Sequence, residues 1–335
     1  ANGYWSVSVL YWREVLFAMH CPRASGVLSH CGMPADADDD GERLLVDAAL
    51  RHNAPEHFAS DVFATDVDSL LAINDEEENA ASPKYDAIRV GEPFDDGDRG
   101  EQYSKLLFGR AVPSSHTGDR EYALAMLQRG FTLPPGLSAL VAAEVDFVAL
   151  DADHFCFAER VGRLLAALCC DLRVLGNPPR LWHRGVARLA APLCFLFESD
   201  TDAYLVFREL YRRGWGSLHG RAGGADPARW LRAVGAAVAA GGLGAKELAK
   251  LPSASAATVV TSVSLWFQTG FAGFLPSSQT LLVWDRVAAD PEHAPEVLGH
   301  FAGRIVAARR EAILLATDKP NRVAEALQDL SDIDL

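Results

Sequence analysis

Clustered positive charge is what this chain most lacks. Its 31 Lys and Arg residues face 45 Asp and Glu, a net charge of −14, so it offers neither a nucleic-acid surface nor a polybasic membrane patch. Cysteine is scarce too: the six, at 21, 31, 156, 169, 170 and 194, form no CxxC pair. Those at 156, 169, 170 and 194 fall on apolar positions of helical patterns and read as reduced core thiols. No apolar run reaches the roughly 18 uncharged residues of a membrane span, and no signal-peptide pattern opens the chain. It starts at Ala1 without methionine, which points to a longer native chain. Phosphate-loop, dinucleotide, GxSxG and HExxH signatures are missing. Ser217 and His219 lie close in sequence, but nothing orients them as nucleophile and base. These absences lead to an expectation of a soluble, cytoplasmic protein without a cofactor that is not an enzyme acting on a small molecule.

What is present is a large apolar content. With 335 residues and 49% hydrophobic composition, the chain can bury one large core or two ordinary ones. The acidity sits in the first 120 residues, where 22 acidic residues outnumber 10 basic ones. Trp5, Tyr11, Trp12 and Phe17 mark one helical pattern there, and a second follows near 43–53. Residues 74–100 turn to Asp, Glu, Gly and Pro with few apolar anchors and read as a solvated loop. The domain reading is therefore 1–120, an acidic helical region, and 121–335, a helical domain.

Beyond Arg120 one helical stripe follows another. Phe157, Val161, Leu164, Leu165 and Leu168 form the first. Val186, Leu189, Ala190, Leu193, Cys194 and Phe197 form the second, and Tyr204, Phe207, Tyr211 and Trp215 the third. The β-branched stretch 258–267 favours a strand by propensity, but Val259, Val263 and Phe267 fit a helix and no strand partner is visible nearby. The expected class is all-α.

Two metal patterns are weighed against ordinary alternatives. Asp36, Asp38, Asp40, Gly41, Glu42 and Asp47 follow the spacing of a calcium loop. The twelfth position is a short Asp, however, and Gly32 and Pro34 interrupt the incoming helix, so a solvated acidic loop is the reading adopted. His20-Cys21 and His30-Cys31 repeat a possible zinc dipeptide at a spacing that matches no standard finger. No metal is expected.

The most legible stretch is WFQTGFAGFLPSSQTLLVWDRVAAD, residues 266–290. Pro276 and Ser277 supply a helix start, the serine hydroxyl able to accept from first-turn amides, and Leu281, Trp284, Val287 and Ala288 recur on one face. Asp285 and Arg286 either flank the core at the surface or pair with another segment.

Three blocks in this order resemble the TBC domain of Rab GTPase-activating proteins, most closely the branch called TBC domain family member 19. They are DADHFCFAERVGRLLAALCCD (151–171), HRGVARLAAPLCFLFESDTDAYLVFRELYRR (183–213) and WFQTGFAGFLPSSQTLLVWDRV (266–287), the last carrying the signature Trp266, Phe267, Trp284 and Asp285. The resemblance implies a helical fold of two subdomains and a groove that receives a GTP-bound Rab-type small GTPase in membrane trafficking. It also implies an arginine from an IxxDxxR motif and a glutamine from a YxQ motif, which enter the nucleotide site in trans. Such an arginine neutralises charge on the transferring phosphoryl group, an effect worth about 10³ to 10⁵ in other GTPases, and the glutamine orients water.

Both fingers are replaced here. EVDFVALDAD puts Asp146 at the motif's aspartate and Ala149 at its arginine; RLWHRGVA puts Trp182, His183 and Arg184 over the YxQ tripeptide. RGFTLPPGLSALV (129–141) resembles the family's entry segment without its tryptophan, and YWREVL (11–16) is the candidate displaced counterpart, which would make 1–120 the N-terminal half of the fold. Three functions follow from the resemblance. The first is an adaptor that binds a Rab-type GTPase with its catalytic fingers degenerate, so that it reaches membranes only through that partner. The second is an active GTPase-activating protein with displaced fingers, Arg184 serving as substitute electrophile. The third is a structural module of a larger protein complex.

Overall fold

The computed structural model describes residues 94, 98–109, 117–149, 155–175, 185–217, 227–316, 319–333 and 335. These residues are 81% helical and contain no strand. The helices are α1 (Arg99–Phe108), α2 (Thr117–Gly130), α3 (Pro135–Ala149), α4 (Ala158–Cys170), α5 (Leu172–Leu175), α6 (Val186–Leu196) and α7 (Asp200–Arg213). After them come α8 (Pro227–Ala240), α9 (Ala245–Leu248), α10 (Ser253–Thr269), α11 (Ser277–Ala289), α12 (Ala294–Leu315) and α13 (Pro320–Gln328). The β-branched stretch 258–267 lies inside α10, with Val259, Val263 and Phe267 fully buried. Tertiary burial of a helical stripe outweighs local β-propensity there.

The apolar stripes explain the packing. Helix α4 buries Val161, Leu164, Leu165 and Leu168 and is contacted by α2, α3, α6 and α7. The second and third stripes are buried as well, apart from half-buried Phe197. Helices α8 and α12 run against each other at close range, with α10 and α13 beside them. Small residues permit this approach: a Cβ on Gly303 would meet Ala240 Cβ at 3.2 Å and the Ala237 carbonyl oxygen at 3.3 Å.

The turn between α10 and α11 is built from aromatic rings and left-handed backbone. Gly270 ends α10 at φ +58°, and the Phe271 amide returns to the Trp266 carbonyl at 2.9 Å. A Cβ on Gly270 would stand 3.0 Å from both Trp215 Cζ2 and Trp284 Nε1, so backbone and space both require glycine. Phe271 is itself left-handed at φ +66° and is held there by stacking on Trp266 at 5.8 Å. Trp284 Nε1 donates to the Gly270 carbonyl at 2.8 Å, and Trp215 Nε1 donates to that of Phe267 at 2.7 Å. Each indole thus buries its apolar body while its N–H is satisfied.

Helix α11 starts after Pro276 without a side-chain cap. Ser277 is its first helical residue, one place beyond the N-cap position that Pro276 occupies; in the first turn, the Thr280 hydroxyl donates to the Leu275 carbonyl at 3.2 Å. Asp285 is fully buried, which decides between the two alternatives for it. Arg99 Nε donates to Oδ1 at 2.9 Å, the Tyr103 hydroxyl to Oδ1 at 2.9 Å, and the Phe94 amide to Oδ2 at 3.2 Å. These partners lie more than 180 residues upstream, so Phe94 and α1 pack as part of the same core as α11.

Candidate functional site

Helix α3 carries Asp146 and Ala149, two of the five residues expected to face a partner, and its periodicity sorts its side chains. Leu137, Val141, Glu144 and Val148 are buried, whereas Ser138, Ala139, Ala142, Ala143 and Asp146 are exposed. Ala149 is the last helical residue. The turn entering α3 presents Phe131, 74% exposed. From Phe131 to Ala143 there is no charged residue, although a solvated helix face ordinarily carries several.

Glu144 is the exception on the buried side, at 3% exposure. Its Oε2 accepts the Gly185 amide at 2.9 Å. Gly185 precedes α6 at φ +94°, and a Cβ there would come to 3.0 Å from Thr269 Cγ2. Its own carbonyl accepts the Arg188 amide at 3.0 Å, starting α6. The end of α3, the start of α6 and the end of α10 therefore meet at one point. Glu144 belongs to no recognisable motif, yet its spacing with Leu137, Val141 and Val148 marks it as a carboxylate on a buried stripe.

Trp182, His183 and Arg184 lie outside the described residues, as do His219 and the calcium-loop candidates Asp36, Asp38, Asp40, Glu42 and Asp47. Asp146 points to solvent, and the carboxylate that reaches the residue after Arg184 belongs to Glu144. Trp266, Phe267, Trp284 and Asp285 come together in the core, where their contacts are structural. Among the described residues no set of three or more His, Cys, Asp or Glu side chains is grouped as metal ligands would be. No described helix is long and apolar enough to cross a membrane.

Two further charged clusters hold helices together. The Asp171 carboxylate, fully buried, accepts from the hydroxyls of Tyr122 at 2.7 Å and Tyr204 at 2.9 Å and from Arg208 Nε at 2.8 Å. Burial and this hydrogen bond push the Tyr122 hydroxyl up to about 12. Arg160 spans the end of α6, donating to the carbonyls of Cys194 at 2.6 Å and Phe197 at 2.7 Å and to Asp200 at 2.7 Å. Both clusters satisfy their charges internally, which fits support and leaves no reactive group presented.

The thiols divide by position. Cys169 and Cys194 are buried, and burial raises both, Cys194 to about 12, so neither supplies thiolate near neutral pH. Cys170 is half-buried, and Cys156 is exposed in the turn before α4, contrary to its expected place in the core. It stands at a short 3₁₀ segment, Phe155–Phe157, where the α-helical stripe has not yet begun. Comparison with protein-family models, curated proteins and solved structures finds no match to this chain.

Proposed function

We propose that the chain is a TBC-like adaptor that binds a Rab-type small GTPase without accelerating GTP hydrolysis. The observation that carries this reading is the uncharged outer face of α3, with Phe131 at its entrance and Asp146 at its far end. An exposed face that forgoes charge in a chain of net charge −14 suits contact with a protein surface better than contact with water. Pro135–Ala149 contains no arginine or lysine, so this helix brings no cation with which to stabilise a transferring phosphoryl group. What remains is a surface for recognition.

The test is a pulldown with a panel of GTP-locked Rab proteins, paired with single-turnover hydrolysis by wild type and Arg184→Ala. The expected result is capture of at least one Rab with hydrolysis at its intrinsic rate. Ala142→Arg, which places a charge in the middle of the face, should weaken that capture by about tenfold or more while changing stability by less than about 0.5 kcal/mol. Acceleration that Arg184→Ala abolishes would establish an active GTPase-activating protein instead. Failure to capture any Rab would leave the structural module.

A further inference from the structure

Resting on the adaptor reading, we infer that Glu144 is a positioning residue that fixes the C-terminal half of α3 against the start of α6, and so sets the geometry of the docking face. Ala142, Ala143 and Asp146 are exposed around Glu144 while its own side chain turns inward. Any rotation or slide of the end of α3 would move these three residues together.

The inward anchor is specific. Glu144 Oε2 receives the amide of Gly185 at 2.9 Å. That amide belongs to the residue preceding α6, whose first two helical residues, Val186 and Ala187, are fully buried. The glycine cannot drift easily, because its left-handed φ of +94° and the Thr269 methyl on its open side confine it. Glu144 thus ties a helix with a functional outer face to a point that α6 and α10 already hold. An apolar residue would have packed against α4 and α6 but would leave α3 free to slide along them, since apolar contact is not directional. A carboxylate hydrogen bond supplies the missing direction and distance.

Glu144→Gln retains an acceptor oxygen at the same reach, whereas Glu144→Leu keeps the bulk and loses the bond. The Gly185 amide can be read directly by hydrogen exchange resolved over residues 185–188, without any partner. Glu144→Leu should speed that exchange by about tenfold or more and Glu144→Gln should restore protection, both with cooperative unfolding retained. Affinity for a GTP-locked Rab captured by the wild-type chain should fall by about tenfold in Glu144→Leu and return in Glu144→Gln. Unchanged exchange in Glu144→Leu overturns the inference. So does faster exchange with undiminished affinity, because the anchor would then be structural only. If the wild-type chain captures no Rab, the adaptor reading fails by itself, and the exchange pattern alone decides whether Glu144 anchors α6.

Discussion

Removing the carboxylate of Asp285 takes away the counter-charge of a guanidinium that is 4% exposed. Both members were desolvated on folding, and their attraction offsets that cost only while both are present. Asp285→Ala should therefore cost about 3–5 kcal/mol. The Tyr103 hydroxyl and the Phe94 amide, which also donate to Asp285, would lose their acceptor at the same time. The double replacement Arg99→Met with Asp285→Leu should recover much of the loss, since an apolar pair of similar volume carries no charge to desolvate. Urea unfolding of wild type, Asp285→Ala, the single variants Arg99→Met and Asp285→Leu, and the double variant checks this. Additive losses, with no recovery in the double variant, would mean that the pair is not coupled. The pairing was only half legible in the sequence: Asp285 beside Trp284 marks a charge at the core, but nothing local names Arg99 as its partner.

At the scale of elements, the sequence pattern is legible where helices bury one broad stripe, as α4, α6 and α7 do, and less so where helix ends are fixed by distant groups. Arg160 and Asp200 are such groups, joining α4 to the end of α6 and the start of α7. Burial opposes ionisation of Asp200, but hydrogen bonds from Arg160 and Arg163 overcome it and hold its carboxyl below the ordinary range. A lowered folded value means that the ionised form is favoured by folding. The stabilisation is therefore complete above the range where free aspartate titrates, near about pH 4, and is lost as pH falls through the lower folded value. The melting temperature of Asp200→Asn should lie below that of wild type at neutral pH, and the two should converge on acidification below about pH 4. Parallel curves down to acid would remove the electrostatic account.

The seam between α8 and α12 makes a steric prediction of the same kind. A Cβ on Gly241 would lie 2.3 Å from Val306 Cγ1 and 3.1 Å from the Ala307 amide nitrogen, whereas one on Gly118, in the first turn of α2, meets nothing within 4 Å. Gly241→Ala should destabilise by about 1–3 kcal/mol through overpacking. Gly118→Ala should be neutral or stabilising by up to about 1 kcal/mol through reduced chain entropy and better helix propensity. Chemical denaturation of the two variants distinguishes them, and equal effects would mean that α8 and α12 are farther apart than described.

For the molecule as a whole, the all-α class followed from stripes that repeat at helical spacing and find burial on neighbouring helices. The candidate site was legible only in part, because Asp146 and Ala149 stood out only through the family resemblance while the anchoring of Glu144 on Gly185 depends on a contact across 41 residues. The relation between α1 and the remaining helices was equally hidden, since an acidic, proline-containing stretch precedes it and resembles a linker. Helix α1 nevertheless lies against α6, α7 and α11. Tyr103 and Leu107 are buried there, and Arg213 Nη2 donates to the Leu107 carbonyl at 3.1 Å. A chain starting at residue 117 would lose Arg99, Tyr103 and the Phe94 amide from Asp285 and expose the apolar surface beneath α1. It should unfold at lower urea than the full chain, with a deficit larger than that of Asp285→Ala. Equal midpoints for the shortened and full chains would show that Phe94 and α1 contribute nothing to the stability of the helices that follow.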